Sequence, residues 1–304
     1  MQRFITLAIV GLFAQLVDGA LGMGYGATSA SLLLTAGLAP AAASATVHMA
    51  EVVTTIASGT AHWRFGNVDR RITIYLALPG AVGAFLGAVA ISLISAAAAK
   101  PFIAVFLFML GLSILLRFVR TVNRPAPVER PIKRAFLMPL GLVGGFCDAS
   151  GGGGWGPIAT TTLLSREQTA PRKVIGSVDT SEILVASSAT LGFLLVLGWE
   201  AINPLWVGAL ILGGVIAAPL AAWLVRILPT RMLGVLAALT IMLTNARILI
   251  TAEGLSGRAS AAIYLGIVAF WGIVVGFGQL RRIAHDRHMA LEQPVAFSGA
   301  PSGD

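Results

Sequence analysis

Charge is scarce in this chain: only 11% of its 304 residues are Asp, Glu, Lys or Arg, against about 25% in ordinary soluble domains. With 57% hydrophobic residues and a mean hydropathy of +0.86, a water-soluble globular fold is excluded. A single cysteine, Cys147, rules out an internal disulfide framework and any multi-cysteine zinc site. A lone cysteine in an apolar segment, one residue before Asp148, it reads as a small hydrophobe rather than a reactive thiol. No HxxxH pair and no GxxxxGK[ST] loop occur, so neither a zinc enzyme nor an ATP-driven pump is suggested. No cofactor or metal site is expected, and the chain is not read as an enzyme.

What is present is a series of apolar stretches, most of about 20 residues, the length that spans a bilayer as a helix. Residues 4–38, 42–62, 72–95, 101–119, 135–165, 172–197, 203–225, 231–250 and 260–280 read as membrane-embedded. Short alternating segments of the β-barrel kind do not occur. The fold class predicted is an all-α polytopic membrane protein.

Two copies of one pattern follow each other, offset by about 130 residues. Gly11-Leu12, Asp18, Gly22, Gly24, Tyr25 and Gly26 align with Gly141-Leu142, Asp148, Gly152, Gly154, Trp155 and Gly156. With one residue of slippage, Pro40, Val47, His48 and Glu51 meet Pro171, Val178, Asp179 and Glu182. The organisation predicted is a first repeat at 1–119, a basic, proline-containing linker at 120–134 and a second repeat at 135–250. An extra membrane helix with a basic end follows at 251–288, then a disordered tail at 289–304. Because the internal copy at 135–156 cannot be a cleaved leader, its counterpart at the N-terminus is read as part of the mature protein.

Each copy opens with a stretch too long for one span: 4–38 would reach about 50 Å as a helix, against a hydrocarbon core of about 30 Å. Glycines crowd its middle, and Pro157 suits the first turn of a restarting helix. One long tilted helix with glycines for packing competes with a broken, re-entrant hairpin. Basic residues discriminate between the two. If all nine segments cross, the 21 Lys and Arg divide 12 to 9. If the first and fifth are re-entrant, only Arg3, Lys100, Arg247 and Arg258 lie on one side and the other 17 lie opposite. The positive-inside rule favours the second arrangement. It predicts seven crossings, an external N-terminus and a cytoplasmic C-terminus. With three crossings per copy, the two repeats have inverted topology, as in alternating-access carriers.

Intramembrane polar residues are costly and mark functional sites by default. His48, Glu51, Thr55, Ser58 and His62 form one stripe at helical spacing. Asp179 and Glu182 stand on the equivalent helix. These four, His48, Glu51, Asp179 and Glu182, are the candidates for proton coupling. Asp18 and Asp148 precede the glycine breaks, where a cap for exposed N–H groups and a ligand or proton role are equally open. A helix restarting at mid-membrane directs free N–H groups and its positive dipole end at an anion. The substrate-binding candidates are therefore Gly24, Tyr25, Gly26 and Ser29 in one copy, and Gly154, Trp155, Gly156, Thr160 and Thr161 in the other.

The Asp18-to-Gly26 stretch, the His48-to-Glu51 helix followed by Ser58-Gly59, the Gly66-Asn67-Val68-Asp69 loop and the near-repeat from Gly141 to Glu182 together resemble the TauE/SafE family of sulfite exporters and related permeases. The resemblance covers about residues 5–250. It implies a bacterial inner-membrane carrier of small sulfur-containing anions such as sulfite, sulfonates or sulfoacetate. The second copy departs from the first in placing Asp179 where His48 stands. The expected partners are thus a small anionic substrate and the lipid bilayer, with no nucleic acid, and a homo-oligomer is compatible with the chain. A cation or metal permease using the intramembrane carboxylates is the alternative function. A membrane subunit that only docks a partner through the basic linker does not account for the duplicated polar stripe.

Overall fold

The computed structural model describes residues 2–21, 23–120, 130–166, 168–224, 230–255 and 257–292, and all regular structure among them is helical. The first long apolar stretch is broken where its glycines fall. Helix α1 (Gln2–Leu21) stops before Gly24, whose φ of 115° is left-handed, and α2 (Tyr25–Thr35) restarts at once. The second copy breaks likewise: α6 (Arg134–Gly151) ends at Gly152 and Gly153, with φ of 80° and 144°. A π-helical turn (Gly156–Thr160) carrying Pro157 then leads into α7 (Thr161–Ser165). Only glycine takes these backbone angles without a steric penalty, so the breaks are written into the sequence.

Between and after the breaks run α3 (Pro40–Arg64), α4 (Arg70–Leu93), α5 (Ala96–Arg120), α8 (Pro171–Leu197), α9 (Pro204–Leu224), α10 (Thr230–Ala252) and α11 (Arg258–Glu292). Proline at the first position starts both α3 and α8, where its missing N–H costs nothing. Asp69 caps α4 by accepting from Arg71 N at 2.9 Å and Ile72 N at 3.2 Å.

Five helices among the described residues are long and apolar enough to cross a membrane: Arg70–Leu93, Ala96–Arg117, Pro171–Leu197, Gly234–Ala252 and Arg258–Arg281. The protein is therefore polytopic. Of the other two predicted crossings, α9 is apolar over Pro204–Ala218. Helix α3 has 25 residues but falls outside the set, because its interior carries Ser44, His48, Glu51, Thr55 and Ser58, all buried.

Helix α1 packs on α9 and α6 on α4, so each opening helix lies against the other half of the chain. Glycine makes both approaches possible. A methyl group on Gly11 would stand 2.5 Å from Leu210 O, and one on its repeat counterpart Gly141 would stand 2.5 Å from Leu76 O. At the centre α3 packs on α8, and α5 on α10. Helix α11 stands at the edge with Leu265, Ile273 and Leu280 exposed, tied to α10 through Trp271 Nε1, which donates to Val235 O at 3.0 Å. It runs on to Glu292, past the predicted start of the tail at 289, and residues 293–304 lie outside the described residues. Of the predicted linker, residues 121–129 also lie outside them, and Arg130 N donates to Gln168 O at 2.9 Å just before α6 begins.

Candidate functional site

His48 sits midway along α3, fully buried, with Nδ1 2.8 Å from Ser44 O one turn back. A contact of that length to a carbonyl requires a hydrogen on Nδ1. Nε2 lies 3.0 Å from Asp148 Oδ2 on α6. With Nδ1 already donating, this second contact needs one more proton, held either by the imidazole or by the carboxyl. His48 and Asp148 thus share a proton in an environment closed to solvent. Ser44 fixes the arrangement from both sides, since its hydroxyl also donates to Ala149 O at 2.7 Å.

The other Asp148 oxygen holds the break. Oδ1 accepts from Gly154 N at 2.6 Å and Trp155 N at 2.9 Å, while the Asp148 carbonyl accepts from Gly152 N and Gly153 N at 2.8 and 3.0 Å. Of the two roles open from sequence, the cap is therefore real in this copy, and the same carboxylate also binds His48. In the first copy Asp18 makes a looser version, with Oδ1 3.5 Å from Tyr25 N.

The two breaks meet face to face. A methyl group on Gly26 would lie 2.6 Å from Gly153 Cα and 2.9 Å from Glu51 Oε1. Glu51 Oε2 is buried without a hydrogen-bond partner and lies 3.9 Å from His48 Nε2. Thr28 Oγ1 and Ser29 Oγ, on the first turns of α2, are also buried and unpartnered. A buried polar group gains about 1–3 kcal/mol when a partner reaches it, so these atoms are the ones a polar ligand or water would satisfy.

Helix α8 brings the remaining acids. Ser58 Oγ on α3 bridges to both oxygens of Asp179 at 2.9 Å. Asp18, Asp179 and Glu182 each place a carboxylate oxygen within 4.8 Å of the others. Asp18, Glu51, Asp148 and Glu182, with Gly24–Ala27, Gly153 and Trp155–Pro157, line a small cavity of about 10 Å³. That is room for one water at most.

Tyr25 and Trp155 line the cavity but are held by packing. The Tyr25 ring rests against Gly214 on α9 and the Trp155 ring against Gly80 on α4. Their polar atoms donate to Leu210 O (3.3 Å) and Val178 O (3.1 Å). Of the candidate hydroxyls, Ser29 and Thr160 are buried beside the breaks. Thr161 is half-buried and its hydroxyl donates to Pro157 O within its own helix, off the cavity.

Two polar residues were missed in the sequence. Ser44 was legible as the position one turn before His48 on the same face. Asn245, fully buried in α10, donates through Nδ2 to Ser31 Oγ at 2.7 Å and Ile241 O at 2.8 Å. An amide inside an otherwise apolar run was its signal.

The profile of the family described as Sulfite exporter TauE/SafE matches residues 7–248. This chain belongs to the TauE/SafE family. It is similar to the Probable membrane transporter protein YtnM of Bacillus subtilis (strain 168), at 51% identity over 273 residues, covering 89% of this chain and 91% of that protein. No solved structure matches it significantly. The TauE/SafE resemblance seen in the glycine breaks and the His48-to-Glu51 helix therefore holds, and the protein is a multi-pass membrane transporter, not an enzyme.

Proposed function

We propose that this TauE/SafE transporter is a secondary carrier that exports a small sulfur-containing anion, of the sulfite, sulfonate or sulfoacetate class, across the bacterial inner membrane with protons as the coupling ion. The observation that carries the proposal is the meeting of two broken helices at a small cavity beside His48 and Asp148, which share a proton. First-turn N–H groups of Gly24–Gly26 and Gly154–Gly156 bind the anion, helped by the hydroxyls of Ser29 and Thr160. Asp148 and Asp18 now occupy part of that N–H set. Protons on Glu51, Asp179, Glu182 and the His48–Asp148 pair lower the local negative charge and let an anion compete for it. Export of substrate and return of protons are then linked by one electrostatic condition.

Alternating access follows in this reading from two inverted repeats, 1–119 and 135–250, each a re-entrant hairpin plus three crossings. Reciprocal packing supports it: Gly11 meets Leu210 as Gly141 meets Leu76, and Tyr25 meets Gly214 as Trp155 meets Gly80. The 17 basic residues assigned to one side support a cytoplasmic linker and C-terminus.

The cluster of Asp18, Asp179 and Glu182 favours a second reading, a cation or metal permease, since three close carboxylates suit a hard cation. Counterflow in proteoliposomes separates the two. Saturable exchange of sulfite, thiosulfate or a sulfonate supports the anion carrier, and flux of divalent metals without anion exchange supports the permease.

A further inference from the structure

Helices α4 and α6 run parallel and touch along their backbones, a methyl group on Gly141 standing 2.5 Å from Leu76 O. Both begin at the same end, and there Arg71, Ile74, Tyr75 and Arg134 line an open cavity of about 470 Å³. Arg71 and Arg134 are exposed, and among the described residues neither guanidinium has a carboxylate partner. Their neighbours are engaged otherwise: Arg70 lies over the Trp63 ring at 5.0 Å and Arg166 over the Phe136 ring at 3.9 Å. The N-terminus of α6 has no side-chain cap, so its positive dipole end lies at Arg134, beside the same cavity. Along the same two helices from this mouth, Leu78 on α4 and Met138 and Leu142 on α6 are exposed apolar side chains.

We propose that this groove is a binding site for one anionic phospholipid, its headgroup phosphate held between Arg71 and Arg134 and its acyl chains lying along α4 and α6. Two guanidiniums with no carboxylate partner among the described residues, a tyrosine and an uncapped helix end provide a polar mouth complementary to a phosphodiester, and guanidinium is the side chain best shaped for phosphate. The apolar flanks below the mouth require a ligand with hydrocarbon chains, which distinguishes a lipid from a free anion. Basic pockets between membrane helices hold lipid headgroups by the same electrostatics. The site stands apart from the cavity at the helix breaks and does not rest on the proposed substrate.

Native mass spectrometry of the full-length protein in detergent tests this, with phosphatidylglycerol, phosphatidylcholine and inorganic phosphate as probes. The wild type is expected to retain one phosphatidylglycerol at activation energies that strip phosphatidylcholine. The double variant Arg71→Gln/Arg134→Gln is expected to lose that adduct at least tenfold. Arg172→Gln/Arg281→Gln, which removes the same charge elsewhere, is expected to retain it. Equal retention by the groove variant, equal loss in the control variant, or phosphatidylcholine held as firmly as phosphatidylglycerol overturns the proposal. Thermal protection by inorganic phosphate equal to that by phosphatidylglycerol overturns the lipid assignment. Circular dichroism and gel filtration of both variants establish that the comparison is between folded proteins.

Discussion

His48 on α3 and Asp148 on α6 lie 100 positions apart in the chain and share a buried 3.0 Å contact between Nε2 and Oδ2. One residue of each repeat is thereby locked to the other, at the point where the second helix break is capped. Because Asp148 also accepts from Gly154 N and Trp155 N, the contact with His48 and the backbone of the break depend on one carboxyl group.

Replacing Asp148 by Ala is expected to destabilise the folded protein by about 1–2 kcal/mol for the lost cap alone, with a further cost for leaving His48 buried without its partner. Asp148→Asn keeps an acceptor for the N–H groups but removes the negative charge, so it is expected to fold and to transport poorly. Thermal unfolding in detergent and counterflow, measured on both variants, distinguish the two effects.

Glu51→Gln keeps the shape of a side chain whose Oε2 has no hydrogen-bond partner, so insertion and stability should be unchanged. If Glu51 carries a coupling proton, pH-driven uphill transport is lost while substrate exchange at equal pH persists. An E51Q protein with full pH-driven accumulation would remove Glu51 from the coupling scheme.

Gly26→Ala drives a methyl group to 2.6 Å from Gly153 Cα, at the point where the two breaks meet. Backbone cannot yield there without separating the halves, and loss of transport with a drop in melting temperature is expected. Gly208 has nothing within 4 Å of a methyl group and lies within α9, so Gly208→Ala is expected to be neutral or up to about 1 kcal/mol stabilising.

In a Cys147→Ala background, single cysteines at Ala39 and at a position beyond Arg281 are expected to react from opposite sides of the membrane. Labelling of both by an impermeant maleimide added to one side only would contradict the re-entrant topology.

Much of this was legible in the chain because membrane helices are written in local terms. Apolar length, glycine and proline placement and the spacing of His48 and Glu51 depend on neighbours in sequence, and the two breaks and the polar stripe follow from them. The structure alone decided which polar groups meet. That Asp148 would choose His48, that Ser58 would choose Asp179, and that Thr161 would turn back on its own helix depend on how α3, α6 and α8 pack. Ser44 and Asn245 escaped notice for the same reason, since a serine or an amide gains meaning only from the group opposite.

The scarcity of charge, the position of the few basic residues and the repeated glycine breaks were determined by sequence, because the bilayer penalises each charged or unpaired group wherever it falls along the chain. The small size of the central cavity, the proton shared by His48 and Asp148 and the glycine contacts of Gly11 and Gly141 with the opposite halves were decided by tertiary structure. They arise between segments far apart in the chain, and only packing brings such segments into contact.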